Sequence, residues 1–348
     1  MSIHKNGSNA MKKNIEFSFL TLLFGLLFFI SINSNLSAQE IQDDNDVGQD
    51  SSLLKTDKRL PILNSFRFIP SDVIRDPFIN TFVKVNVGTG AALDLKSYIK
   101  NLEGTVFDTL SGDLTYISAE LEFQYAVNEW LAFNGSYGGA GRLGTNAYTI
   151  LTSGIAYATS FTLGAKVKIW QNDKMFLASS IDYTSSEVIH YSIYDFVKEV
   201  YESGGKIDSS KNSLLEKDNL PKTFLNLNYA YAPTDWFGLL GVAGFGIGQT
   251  FKSKDKGNIR IGVAASIDFL NIDFVSFPIG ILASIRYNSF SETGEDIKNL
   301  ITLGFRIGYS GHKDFDIGIE NTYQSLNFRL SEQKVQTIIT AFKMRYYF

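Results

Sequence analysis

Charged side chains recur at every second position in several stretches of this sequence. Glu120 and Glu122 flank Leu121, and Lys166 and Lys168 form a second pair with the same spacing. Side chains two residues apart on a β-strand point to the same face, so each pair would present both of its charges to one side. Two carboxylates placed in this way can bind a cation or a substrate, or they can simply solvate a polar interior.

Fourteen ionisable residues lie on the polar faces of such alternating stretches, and eight of them are basic while six are acidic. A ring of charges of one sign would indicate a selective pore. The mixed signs indicate instead ion pairs that brace an interior, or a weakly selective aqueous channel. We expect the following residues to line the interior of the fold: Lys84, Glu120, Glu122, Lys166, Lys168, Asp182, Arg260, Asp268, Arg286, Arg306, Asp316, Glu320, Lys343 and Arg345.

Catalytic chemistry has little support in the sequence. The chain has no Cys and three His, of which His4 precedes the first apolar run and His312 lies in a predicted turn. His190 is the one candidate general base, and Ser185 and Ser186 are nearby in sequence, but no lipase-like or protease-like motif surrounds them. No cluster of His and Asp indicates a metal site. We therefore expect no enzymatic activity, no cofactor and no metal.

Composition and periodicity predict the elements that position these charges. The 348 residues include 17 Tyr, 28 Phe and 29 Gly but 6 Pro, which favours long strands, and a net charge of -4 gives no indication of a nucleic-acid partner. A tilted strand needs about 9 to 11 residues to cross a bilayer, and the alternating stretches are at least that long. Strands of globular proteins are usually shorter, with about five or six residues. They predict twelve strands, at 80–95, 112–126, 130–140, 154–170, 175–189, 222–231, 236–250, 258–270, 279–290, 298–310, 315–327 and 334–348.

The connections between the predicted strands alternate in length. Short polar turns at 127–129, 171–174, 232–235 and 311–314, and a less compact turn at 271–278, alternate with mostly longer connections. Transmembrane barrels have this arrangement, with the short turns in the periplasm. A closed sheet also pairs every backbone donor and acceptor, as a bilayer requires. The sequence therefore predicts an all-β fold: a transmembrane antiparallel up-and-down β-barrel of about twelve strands.

The N-terminal region is typical of an exported protein. Lys12 and Lys13 precede an apolar run at 17–30, and the small residues of Leu36-Ser37-Ala38 offer a cleavage site, which together predict a cleaved signal peptide, with an uncleaved membrane anchor as the alternative. Met1 and Met11 are both possible starts. The stretch at 60–78 contains three Pro and is expected to be an irregular lead-in that could fold partly into the barrel. The predicted organisation is a signal peptide at 1–38, a periplasmic tail and lead-in at 39–79, and the barrel at 80–348.

One long external loop has the spacing of a helix. Residues 192–203 begin with Ser192, which can cap a helix, and are followed by Gly204, which can end one. Such a helix could fold into the mouth of the barrel and narrow it, or it could rest on the rim. Its apolar face, the candidate constriction, comprises Ile193, Phe196, Val197, Val200 and Tyr201.

The last strand carries a resemblance to a known class of proteins. Phe342, Met344, Tyr346 and Phe348 share one face, and the chain ends on an aromatic residue. This segment resembles the C-terminal sorting strand of bacterial outer-membrane β-barrel proteins, which implies recognition by the barrel-assembly machinery. The turns Asn128-Glu129-Trp130-Leu131 and Thr234-Asp235-Trp236-Phe237 are also similar to periplasmic turns of small-molecule transport barrels.

These features together lead to an expectation about function. We expect a barrel in the outer membrane of a Gram-negative bacterium, in contact with its lipid, that acts as a narrow pore or channel for passive uptake or export of a small solute. A non-conducting barrel with a structural, adhesive or secretion-accessory role is the first alternative. A barrel enzyme that acts on lipid is the second. The sequence does not identify the solute.

Overall fold

A computed structural model gives the fold, and it describes residues 61–100, 106–144, 155–191, 215–250, 253–272, 277–290, 297–312, 314–328 and 334–348. The predicted signal peptide at 1–38, the tail at 39–60 and the predicted loop helix at 192–203 lie outside these ranges. These three assignments therefore stay predictions.

Within the described ranges the chain forms two short strands followed by twelve long ones. Each long strand pairs antiparallel with its neighbours, and the last pairs with the first, so the sheet is a closed barrel. The helical content of these ranges is one 3₁₀ turn, Phe269–Asn271. The strands are β1 (Ile62–Leu63), β2 (Phe66–Arg67), β3 (Phe82–Lys100), β4 (Val106–Ala126), β5 (Leu131–Gly144), β6 (Ile155–Gln171), β7 (Met175–Tyr191), β8 (Leu215–Tyr231), β9 (Phe237–Thr250), β10 (Ser253–Asp268), β11 (Ile279–Phe290), β12 (Ile297–Tyr309), β13 (Phe315–Phe328) and β14 (Lys334–Tyr347).

Apolar side chains point out of the barrel and most charged ones point in. Along β4, Ile117 is 69% exposed and Phe123 is also exposed, whereas Glu122 and Gln124 are buried. Successive side chains of a strand point to opposite faces, so the alternation in the sequence becomes an outer apolar face and an inner polar face. The strands β6, β10 and β14 alternate in the same way.

The prediction of a closed antiparallel barrel of twelve strands is confirmed, and the predicted strand ends need correction at the long connections. The strand β3 continues to Lys100, β4 begins at Val106, and β8 begins at Leu215, each beyond its predicted limit. Backbone pairing with the neighbouring strand continues there, past the stretches in which the sequence alternates. Periodicity therefore ends before the hydrogen-bonded ladder does.

The short turns are fixed by side chains that supply missing backbone partners. The Oδ1 atom of Asn128 accepts hydrogen bonds from the backbone N–H groups of Trp130 (3.0 Å) and Leu131 (2.9 Å). Asn172 accepts the equivalent pair of bonds in the next short turn. Asn suits this role because its short side chain reaches backbone groups two or three residues further along. The tight turns in this way hold the register of the hairpins they connect.

The strand β14 closes the barrel against β3. Phe342 and Tyr346 are exposed on its outer face and Lys343 is buried on its inner face, with Phe342 opposite Val87 of β3. The backbone N–H of Phe348 donates to the carbonyl of Thr81 at 3.1 Å, so the barrel begins and ends at the same rim. This rim is also where the short turns lie, and we call it the short-turn end.

Candidate functional site

Residues 61–81, which we call the inner segment, lie inside the barrel. Arg75 binds side chains of β4 and β7, Asp76 contacts β6 and β14, and Ser71 binds β13. In the ring of strands, β7 and β13 stand on opposite sides. A single segment that contacts opposite walls of a closed ring must lie within it. Residues 61–78 of the predicted lead-in therefore fold into the barrel, which is one of the two alternatives that the sequence leaves open.

The inner segment enters at the short-turn end as a two-residue hairpin between β1 and β2. Asn64 and Ser65 have φ values of 48° and 64°, as tight hairpin turns require. The Nδ2 group of Asn64 donates to the carbonyl of Ala232 at 3.2 Å, and Nη1 of Arg67 donates to the carbonyl of Ser310 at 2.7 Å. These bonds attach the base of the segment to two short turns.

One side of the inner segment is apolar and packs against the wall formed by β7 to β11. The rings of Phe66 and Phe68 meet edge to face with their centroids 4.7 Å apart. Glycines make room in the wall, because a Cβ atom at Gly238 would collide with Phe66 and one at Gly262 would collide with Ile74. The buried cluster contains Leu63, Phe66, Phe68, Ile69, Val73, Ile74 and Phe78 of the segment, and Phe176, Ala178, Ala230, Ala232, Leu240, Val242, Ala264 and Leu282 of the wall.

The tip of the inner segment is held by ion pairs to the opposite part of the wall. The carboxylate of Asp72 lies 2.7 Å from Nζ of Lys84 and 2.5 Å from Nζ of Lys343. The hydroxyl of Ser71 donates to Glu320 at 2.9 Å, and Glu320 is also paired with Lys343. The tip therefore joins β3, β13 and β14 through one connected set of charges.

Arg75 and Asp76 extend this set across the lumen. The guanidinium of Arg75 donates to Asp182 at 2.9 Å and to Glu122 at 3.0 Å, which joins β7 to β4. The carboxylate of Asp76 accepts a hydrogen bond from Arg345 at 2.8 Å. Ion pairs between wall residues, such as Lys84 with Glu122, join neighbouring strands. The inner segment thus supplies the charges that connect strands further apart.

Asp76 is ionised at neutral pH although it is buried. Burial of its carboxyl acts to raise the pKa, but the nearby guanidinium of Arg345 and ammonium of Lys166 outweigh burial, so the pKa lies below its ordinary value of 3.8. The Nζ group of Lys166 also donates to the backbone carbonyl of Asp76 at 2.8 Å. Asp76 is therefore a charged anchor between β6 and β14.

The structure places all fourteen predicted interior residues at inward positions. Seven of the ten buried ones contact the inner segment, Arg306 pairs with Asp316, and Asp268 accepts a hydrogen bond from Ser310. Glu120, Lys168, Arg260 and Arg286 are partly exposed. The buried ten are Lys84, Glu122, Lys166, Asp182, Asp268, Arg306, Asp316, Glu320, Lys343 and Arg345.

Periodicity does not identify Asp72, Arg75 or Asp76, because the inner segment is irregular and has no repeat. A compositional signal is nevertheless present. These charges stand within a stretch of large apolar residues, between Pro70 and Pro77, and a solvated tail would have no need of that apolar content. The apolar residues together with the mixed charges indicate a segment that packs against a partner.

The charge on Asp76 leads to a prediction about pH. A group whose pKa is lowered by folding contributes stability that is present above its unfolded pKa and is lost as the pH falls through its folded pKa. We expect the inner segment to stay in place from pH 7 to pH 5. It should loosen when the pH falls below 3.8, the ordinary pKa of the Asp76 carboxyl. The Asp76→Asn variant should be loose at pH 7 as well. The measurement is the labelling rate of a cysteine placed at Val73, since the chain has no other cysteine.

Comparison with known proteins finds solved structures of similar fold. No family model and no curated protein matches the chain. An outer membrane channel from Pseudomonas putida F1 is 11% identical with a TM-score of 0.49, over 81% of this chain and 100% of that one. The transport unit of the autotransporter AIDA-I from Escherichia coli is 11% identical with a TM-score of 0.46, over 77% and 90%. The translocator domain of the autotransporter NalP from Neisseria meningitidis is 8% identical with a TM-score of 0.46, over 78% and 90%.

These similar structures are outer-membrane β-barrels of several kinds, and no subfamily is indicated among them. At such identities and TM-scores the similarity does not extend to function.

Two further observations concern the described ranges of this chain. They contain no helix that is long and apolar enough to span a bilayer. They also contain no group of three or more His, Asp or Glu residues arranged to hold a metal ion.

Proposed function

We propose that this chain is a bacterial outer-membrane β-barrel that conducts a small solute through its lumen, and that the inner segment closes the lumen at rest. The observation that carries the proposal is the outer surface. Large apolar residues are exposed around the ring, whereas soluble proteins rarely expose apolar patches above a few hundred Å². Hydrocarbon is the solvent in which such a surface is stable.

Aromatic residues mark two levels on the outer surface, as the interfaces of a bilayer favour. Trp130, Trp170 and Trp236 are exposed beside short turns, and Tyr309 lies at the same rim. Tyr287 marks the other level, and its partner on β12 is Ile301. The eight steps along the strand from 301 to 309, at about 3.4 Å per residue and a tilt of about 40°, cover roughly 20 Å. This is close to the apolar band of outer-membrane barrels, which is about 25 Å tall.

The proposed passage for the solute is the lumen of the barrel, which the inner segment fills when the barrel is closed. At the level of the inner segment, the apolar cluster occupies one side of the lumen and the ion pairs of Asp72, Arg75 and Asp76 occupy the other. Beyond its tip the wall carries small or polar residues such as Ser118 and Gly138. In this proposal the short-turn end faces the periplasm, solute reaches the tip from the other end, and no catalytic step is involved.

Two arginine substitutions on one strand test the placement in the membrane. We expect Phe305→Arg, at the middle of the proposed band, to lower the free energy of unfolding by about 2–4 kcal/mol, and Tyr309→Arg, at its rim, by about 0–1 kcal/mol. The measurement is urea unfolding of residues 39–348 in lipid vesicles. Exposed positions of a water-soluble protein would give changes within about 0.5 kcal/mol at both sites, and that result would contradict the membrane placement.

Solute flux tests the proposed transport. Vesicles that contain residues 39–348 are expected to swell slowly in small sugars or amino acids, and faster when the anchors of the inner segment are removed. If neither protein allows any swelling, the lumen is not a solute route, and the alternative of a non-conducting barrel is supported.

A further inference from the structure

The wall just beyond the tip of the inner segment carries two arginines that form no ion pair with any of the described residues. We call this region the arginine patch: Arg260 on β10, Arg286 on β11, and the adjoining Asn258, Asn288 and Thr302. Arg260 is the cross-strand partner of Asn288, and Arg286 is the partner of Thr302. The two arginines are thus diagonal neighbours on one face, and such positions lie about 7–8 Å apart, within reach of long side chains.

Neither arginine forms an ion pair within the part of the chain that the structure describes. The guanidinium of Arg260 lies over the ring of Phe224, 4.1 Å from its centroid. Nη1 of Arg286 donates to the backbone carbonyl of Val73 at 2.9 Å. By contrast, Arg306, further toward the short-turn end, is paired with Asp316. The carboxylates that act on these partly exposed cations are Asp182 for Arg260, and Asp72 and Glu320 for Arg286. All three carboxylates are already paired with other basic side chains. The patch therefore keeps positive charge that is not fully compensated and that favours the arrival of an anion.

The patch also holds polar atoms that lack hydrogen-bond partners. Buried polar groups in native proteins are nearly always paired, and single exceptions indicate an absent partner such as a ligand or water. Asn258, Asn288 and Thr302 are 8%, 6% and 1% exposed. Among the described residues, the unpartnered atoms in this one region are Arg260 Nε, Arg286 Nε, Asn258 Oδ1, Asn288 Oδ1 and Thr302 Oγ1.

The chemistry of these groups specifies what would complete them. Of the five unpartnered atoms, the two Nε groups donate and the Thr302 hydroxyl can donate, whereas the two Oδ1 atoms accept. A ligand must therefore accept hydrogen bonds from the three donors, and beside two guanidinium groups it should be negatively charged. A hydroxyl group of the ligand would serve the two amide oxygens. Planar oxyanions such as carboxylates match the fork of an arginine.

An aromatic side chain fixes the position of one of the two guanidinium groups. Phe224 is buried, and it lies across β9 because that strand has no side chain there: a Cβ atom at Gly246 would come within 2.5 Å of its ring. The ring thus supports Arg260 from one side and leaves its guanidinium edge to meet a ligand.

We infer that the arginine patch binds the oxyanion group, a carboxylate or phosphate, of a small solute that enters the lumen. The inference rests on the proposed function, because a solute meets the patch after it enters the lumen from the end opposite the short turns. The patch directly adjoins the tip of the inner segment, since Arg286 binds Val73 and Gly262 contacts Ile74. A bound anion would therefore lie against the part of the segment that closes the lumen.

Calorimetric titration of residues 39–348 in detergent tests the inference, with sodium benzoate and sodium phosphate as separate ligands. At least one of the two is expected to bind, the tighter one identifying the oxyanion, and neutral benzyl alcohol is not. Arg260→Met and Arg286→Met should each weaken binding about tenfold or more, the size of one lost charge-assisted hydrogen bond. Lys174→Met removes the same charge from an exposed short turn and should bind as the wild type does.

Thermal unfolding separates loss of binding from loss of the fold. Without added anion, Arg260→Met is expected to unfold at the same temperature as the wild type or higher, because the arginine forms no ion pair with a described residue and methionine can keep the contact with Phe224. Added anion should then stabilise the wild type and not the variant. A variant that unfolds several degrees below the wild type would show that Arg260 is satisfied within the protein, and the inference would be wrong.

The titration does not depend on conduction, so the two proposals fail in different ways. A chain that binds benzoate or phosphate through the arginines but allows no solute flux contradicts the proposed function and supports the patch. Absence of anion binding in the wild type, or binding that is equal with and without the arginines, overturns the patch and leaves conduction to be judged by the vesicle experiment.

Discussion

The variant Asp72→Asn/Arg75→Gln/Asp76→Asn is expected to raise the single-channel conductance of the barrel about tenfold or more in planar bilayers. Eight-strand barrels are filled by side chains and sixteen-strand barrels hold an aqueous channel, so a barrel of twelve strands should have a conducting lumen once the inner segment has left it. The single side chain of Arg75 joins β4 to β7, and that of Asp76 joins β6 to β14. Asp76 is buried, and removing one partner of a buried ion pair costs about 3–5 kcal/mol. Asp72 and Arg75 are more exposed and contribute less. With all three charges gone, the inner segment should leave the lumen for much of the time.

A matched control neutralises three exposed charges of the same signs in short turns, Asp173→Asn/Lys174→Gln/Asp235→Asn. It should conduct as the wild type does, since these side chains do not contact the inner segment. Both variants are first checked for folding by heat-dependent electrophoretic migration. If the folded triple variant of the segment conducts no better than the control, the inner segment does not close the lumen.

The barrel could be predicted from the sequence because each strand records its own environment. On β4, the outward Ile117 and Phe123 and the inward Glu122 alternate whatever the rest of the chain does. Closure follows from the same pattern, since an open two-faced sheet would leave unpaired edges in hydrocarbon. The turns are equally local, because Asn128 bonds backbone groups within three residues of itself.

The inner segment could not be placed from periodicity, yet it leaves traces in the strands that it contacts. The alternation of β9 is weak because Leu240 and Val242 point inward, where a polar residue is the rule. The structure explains them, since both belong to the cluster around the inner segment. An apolar residue on the inner face of a barrel strand therefore indicates that something apolar fills the lumen. Which segment fills it depends on contacts distant in sequence, such as Ser71 with Glu320.

The inner segment also explains the mixed signs of the interior charges. Lys84, Lys343 and Arg345 stand close together on β3 and β14. Wall carboxylates pair with the two lysines, but the ion pair of Arg345 among the described residues is with Asp76 of the inner segment. Asp72 and Asp76 lie among them and neutralise them. The interior of the wall is therefore complementary to the inner segment. We expect the segment to be a part of the folded barrel rather than a passing occupant of an open pore.

A disulfide between the inner segment and the wall is expected to abolish conduction reversibly, in the variant Val73→Cys/Gly304→Cys. A Cβ atom at Gly304 would lie 2.7 Å from Cγ2 of Val73. The Cβ of Val73 is one bond of about 1.5 Å further, so the two Cβ atoms would be at most about 4 Å apart, and disulfides need about 3.5–4.5 Å. Ser284→Ala is included, because the Ser284 hydroxyl would be too close to the new side chain.

Oxidised protein should then show no openings in planar bilayers, and a reductant should restore the wild-type rate of openings. The three charge substitutions, added to this variant, make the test stricter: we expect high conductance when the disulfide is reduced and almost none when it is formed.

The control pair Val73→Cys/Gly139→Cys places one cysteine on the outer face of β5 beside Tyr157, where no bridge to the lumen can form, and oxidation should leave its conductance unchanged. High conductance through a barrel whose Val73–Gly304 bridge is verified by mass spectrometry would mean that solute passes beside a fixed segment. Closure by the segment would then be disproved, because the bridge holds its tip against β12 whether or not its charges are present.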